Sequence, residues 1–115
     1  MSASAWLLAL LAYPLLEELV FRAGLLRWLD AKWLVKLPAV CGHGVGWQPW
    51  INNILTSLVF GLAHALTWPI SHAVAVFVPS LFLGWLWQRY RSVLVCFTVH
   101  AAMNGLGILL DGVGA

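Results

Sequence analysis

Apolar residues fill four stretches of this chain, approximately residues 3–29, 51–67, 70–90 and 93–110, and polar residues gather between them. At ~1.5 Å of rise per residue, stretches of this length cross most or all of a hydrocarbon core about 30 Å thick. The pattern predicts an all-α fold, a polytopic membrane helical bundle of about four transmembrane helices, forming a single domain over residues 1–115. Pro14 falls inside the first stretch, three residues before Glu17, where a missing backbone donor kinks a helix. Residues 30–50 combine Lys32, Lys36, Pro38, Gly42, Gly44, Gly46 and Pro49 with Trp33, Trp47 and Trp50, and read as an interfacial loop. Trp68-Pro69 closes the second stretch, and Pro79 lies within the third. No internal repeat is evident.

Composition agrees with the pattern. The 115 residues are 63% hydrophobic and 9% charged, against about 25% charged in a soluble domain. A water-soluble globular protein is excluded, and the length leaves no room for a large extra domain. Net charge is +2, but its placement says more. Arg27, Lys32 and Lys36 lie in the first connection, and Arg89 and Arg91 flank the third. Those connections emerge on one side of a four-span bundle, so that side is expected to be cytoplasmic and both termini outside. Trp6 and Trp68 would mark the outer interface, and Trp28, Trp33, Trp47, Trp50, Trp85 and Trp87 the inner one. No basic patch suits nucleic acid. Cys41 and Cys96 lack a CxxC partner and read as free thiols. The N-terminus lacks the basic region of a signal peptide, so the first apolar run is expected to be retained.

Three polar pairs interrupt the apolar runs at i, i+4: Glu18 with Arg22, Phe60 with His64, and His100 with Asn104. Residues four apart share one helix face, and ionisable groups inside a membrane face the protein interior and mark function. Glu18 and Arg22 have the favourable order for an ion pair. Glu17, about 100° around the helix, is left over as a candidate general base toward water. His64 could hold or deprotonate that water, with Phe60 walling the cavity. His100 and Asn104 present N–H donors for the oxyanion of a tetrahedral intermediate. Glu17 lies roughly 15 Å and His100 ~13 Å from the inner boundary. Asn104 is one turn further out, and His64 is in the outer half. Each pair alone could be structural glue between helices. Ser57 and Ser80 have no base partner, His43 reads as a solvent-exposed loop residue, and His72 reads as structural at the outer interface.

These motifs, Glu-Glu-x-x-x-Arg at Glu17, Glu18 and Arg22, Phe-x-x-x-His at Phe60 and His64, and His-x-x-x-Asn at His100 and Asn104, resemble the CAAX protease and bacteriocin-processing (CPBP or ABI) family. The resemblance covers about residues 14–110. It implies an intramembrane endopeptidase, with Glu17 and His64 activating water, His100 and Asn104 holding the oxyanion, and Glu18 and Arg22 organising the site. It leaves open a metal-free glutamic enzyme with no cofactor or a zinc enzyme with Glu17, His64 and His100 as ligands; the soluble His-Glu-x-x-His motif is absent. Its members usually have more helices, which a homo-oligomer or a helper membrane protein would supply here. The expected substrate is a membrane-anchored protein or peptide in the bilayer, such as the C-terminal sorting anchor of an exported protein, and the expected location is a prokaryotic inner membrane. The competing readings are a non-catalytic scaffold or immunity-type protein that keeps the motifs as structure, and a proton-coupled transporter.

Overall fold

A computed structural model describes residues 2–33 and 47–114. Most of residues 30–50, including Cys41 and His43, therefore lie outside the described residues, as does the bulk of the expected interfacial loop. The described residues form four helices and no strand. Helix α1 is continuous through five segments: α-helical Ala3–Leu7, Tyr13–Val20 and Arg27–Trp33, with π-helical Leu8–Ala12 and Phe21–Leu26 between them. Helix α2 is Trp47–Ala65, α3 is Ile70–Tyr90 and α4 is Val93–Gly114. The first two helices extend further into the expected loop than the hydrophobic pattern implied, because helix propensity does not stop where apolarity does.

Helix α1 is irregular for identifiable reasons. Ser2 caps it by accepting the Ala5 N–H at 3.2 Å. Pro14, at the start of the second α-helical segment, has no N–H to give. The turn before it widens, and Tyr13 N–H reaches back five residues to the Leu8 carbonyl. The second widening follows the two glutamates, and there Arg27 N–H reaches the Arg22 carbonyl. Single π turns of this kind recur at functional sites.

The helices close into a ring. Residues 8–20 of α1 pack on α4, and its segment Phe21–Leu26 packs on α2. The broadest contact is α2 on α3, and α3 in turn packs on α4. Close approach of α2 and α3 depends on Gly84, where a Cβ would collide with the Asn53 carboxamide. Asn53 uses that space to donate to the Leu81 carbonyl at 2.8 Å. Two residues, Arg91 and Ser92, connect α3 to α4 and force them antiparallel. Arg91 adopts the left-handed conformation, with φ 51°. An apolar core of Leu26, Leu83, Leu86, Trp87 and Cys96 fills the end of the bundle near this turn. Trp87 is thus buried and not part of an interfacial belt, while Trp28, Trp50 and Trp85 are exposed.

Among the described residues three helices are long and apolar enough to cross a membrane: α1 over Ala3–Lys32, α3, and α4 over Val93–Leu110. The α2 helix is more polar, since Asn52, Asn53, Thr56, Ser57 and His64 lie along it. The first four of these are fully buried against the other helices. The outline, 52 × 27 × 19 Å, suits an integral membrane bundle.

Candidate active site

The site forms where three helices meet: the glutamates of α1, the last turns of α2 and the middle of α4. Glu18 and Arg22 pair at 3.0 Å, and both are fully buried. Arg22 Nη2 also donates to the carbonyl and the hydroxyl of Ser80 on α3, each at 2.6 Å. Ser80 is therefore not an isolated helix serine. Its hydroxyl and carbonyl fix the guanidinium, which also lies over the Phe60 ring at 5.0 Å. Three helices thus hold one cation, and that cation holds Glu18.

Glu17 has no such clamp, as its position one residue from Glu18 implied, but it is not isolated. Its two oxygens face two histidines: His64 Nε2 lies 3.9 Å from Oε1, and His100 Nε2 lies 3.3 Å from Oε2. The Glu17 side chain is 28% exposed and that of His64 16%, so the cluster is reachable from one side. His100 stands between the carboxylates, with its Nδ1 3.3 Å from Glu18 Oε2. That contact is within ion-pair distance but off the hydrogen-bonding line.

Local folding sets the histidine tautomer. His64 Nδ1 lies 2.8 Å from the Phe60 carbonyl one turn back. A carbonyl only accepts, so this partner assigns the neutral ring's proton to Nδ1 and leaves the Nε2 lone pair toward Glu17. The Phe60 ring supports this imidazole at 4.4 Å between centroids, and Phe21 meets Phe60 edge-on at 5.0 Å.

The predicted site residues Glu17, Glu18, Arg22, Phe60, His64 and His100 come together. Asn104 lies one turn beyond His100 on α4, and one N–H of its amide goes to the Ala9 carbonyl at 3.1 Å. Sequence reasoning missed two neighbours. Ser80 carried no signal beyond its place in an apolar helix. His72 had one: the turn between α2 and α3 is short, so the first turn of α3 must fold back beside the last turn of α2. The His72 ring indeed lies 6.0 Å from that of His64.

Among the described residues, no group of three histidine, cysteine, aspartate or glutamate side chains is arranged to hold a metal ion. The two imidazoles face different oxygens of the one Glu17 carboxylate.

A helical bundle with spans of this length and a Glu/His/Arg cluster between its helices belongs to the class of polytopic membrane proteins with ionisable groups gathered in the interior. The chain matches the family described as type II CAAX prenyl endopeptidase Rce1-like over residues 1–106. It belongs to that family, which supports a protease. No curated protein and no solved structure matches the chain.

Proposed function

We propose that this protein is an intramembrane endopeptidase that hydrolyses a peptide bond of a membrane-associated protein or peptide with a water activated by Glu17 and His64, without a metal. The observation that carries this is the Glu17 carboxylate set between His64 and His100, contributed by two other helices. A water ~2.8 Å from both Glu17 Oε1 and His64 Nε2, which are 3.9 Å apart, subtends roughly 90° between them. Both its protons then face acceptors, and its lone pairs face the substrate.

As the water oxygen bonds to the carbonyl carbon, Glu17 takes a proton. The oxyanion draws on the second amide hydrogen of Asn104, which Ala9 does not use, and on the His100 N–H that faces Glu17 until substrate binds. Glu17 then returns the proton to the leaving nitrogen as the C–N bond breaks. Arg22 and Ser80 keep Glu18 in place, and Glu18 orients His100 from the far side. The cations of the first and third connections support an arrangement with those connections cytoplasmic and both termini outside, in a prokaryotic inner membrane.

The test is cleavage of a pool of tagged single-span proteins by purified protein in liposomes, comparing wild type, Glu17→Gln and chelator-treated wild type. Loss in Glu17→Gln with activity kept under chelation supports the proposal. Loss in both points to zinc chemistry. Full activity in Glu17→Gln overturns it.

A further inference from the structure

His64 is held on one face by Phe60, and a second ring approaches it from the α2–α3 turn. His72 lies 6.0 Å from His64 at an interplanar angle of 35°, and Trp68 lies 4.9 Å from His72 at 32°. The three rings follow one another from the site to the exposed end of the turn. The backbone makes this arrangement precise. The His64 carbonyl accepts the N–H groups of Thr67 at 3.2 Å and Trp68 at 2.8 Å. Helix α3 then starts at once, with His72 N–H on the Pro69 carbonyl at 3.0 Å. The turn is hooked to the residue whose ring it overlies. His72 and Trp68 are both exposed, so neither is packing for a core.

We propose that His72 is a positioning residue for His64: set between His64 and Trp68 with its ring tilted toward both, it holds the His64 ring so that Nε2 meets the water on Glu17. The inference rests on the water-activating role of His64 argued above. Phe60 and the Nδ1 contact fix one part of that ring, and His72 is the further ring beside it. The role needs a flat ring at this position, not an exchangeable proton.

The experiment measures kcat and KM separately for His72→Ala, His72→Phe and Trp68→Ala in liposomes. In parallel, the imidazole signals of His64 are followed by NMR in histidine-labelled protein. His72→Ala is expected to lower kcat roughly three- to tenfold, the scale of one aromatic pair, with KM unchanged. His72→Phe restores kcat, and Trp68→Ala shows a smaller loss in the same direction. The His64 signal, single in wild type and in His72→Phe, should broaden or double in His72→Ala. Wild-type kcat in His72→Ala overturns the proposal. So does a His72→Phe as impaired as the alanine variant, since the imidazole nitrogens would then matter. A change confined to KM overturns it too, because His72 would be touching substrate. If the wild-type protein cleaves nothing, the protease reading fails by itself, and the NMR comparison still decides whether His72 orders His64.

Discussion

Among the described residues two polar clusters sit in this bundle, and they are built on opposite principles. At the end near the α3–α4 turn, Asp30 is 4% exposed and surrounded by donors. Its Oδ1 accepts from Asn52 at 2.9 Å and Gln88 at 3.3 Å, and its Oδ2 from Arg91 at 3.1 Å. Gln88 also donates to the Pro49 carbonyl at 2.8 Å. Each of these contacts is a hydrogen bond, and together they tie α1, α2 and α3. In the glutamate–histidine cluster, Glu18 Oε1, Arg22 Nε and His100 Nδ1 are buried with no hydrogen-bond partner among the described residues, and Glu17 meets His100 and His64 at 3.3 and 3.9 Å. A closed network rigidifies, whereas an incompletely satisfied one is costly to keep.

Substitutions test that contrast. Glu17→Gln is expected to lower cleavage by roughly 10²–10⁴-fold and leave the melting temperature in detergent unchanged, because the partly exposed Glu17 supports little structure. Arg22→Met strands Glu18 in the interior and should destabilise by about 3–5 kcal/mol, read as denaturant unfolding followed by circular dichroism, with activity lost as well. This would show that the inner layer of the active cluster is structural even though its outer layer is not. Asp30→Ala leaves Asn52, Gln88 and Arg91 without their shared acceptor. It should cost ~2 kcal/mol in the same assay while cleavage per folded molecule stays at the wild-type level; a selective loss of cleavage would erase the distinction between the clusters. Gly84→Ala drives a methyl into the Asn53 carboxamide and should cost about 1 kcal/mol, again without a specific effect on cleavage.

The four helices were legible because apolar runs of this length have few other fates, and the i, i+4 spacing of Glu18/Arg22 and Phe60/His64 placed each pair on one face. The Asp30 network was not legible. Asp30 stands where polarity rises, so it reads as the start of a loop, and its partners come from three other places in the chain. The π turns were hidden for a different reason: a residue added to an apolar run leaves its hydrophobicity unchanged. Trp87 misled because tryptophan suits an interface and a core equally well, and only packing against Leu26 and Cys96 decides. Asn104 shares a face with His100, as its spacing required, but spacing could not reveal that Ala9 would claim part of its amide.

The widened turn at Phe21–Leu26 also sets a rotational phase. Glu18 and Asp30 are twelve residues apart, and at ~100° per residue a regular helix would aim them about 120° away from each other. The one additional residue taken up by a π turn gives back roughly 100° of that rotation. Both acids then look into the same bundle, one carrying the Arg22 ion pair and the other the hydrogen bonds of Asn52, Gln88 and Arg91, from a helix whose natural pitch would have turned one of them away. The widened turn works as a vernier between two sites, and losing a single residue there would put the two out of step along the whole length of the helix.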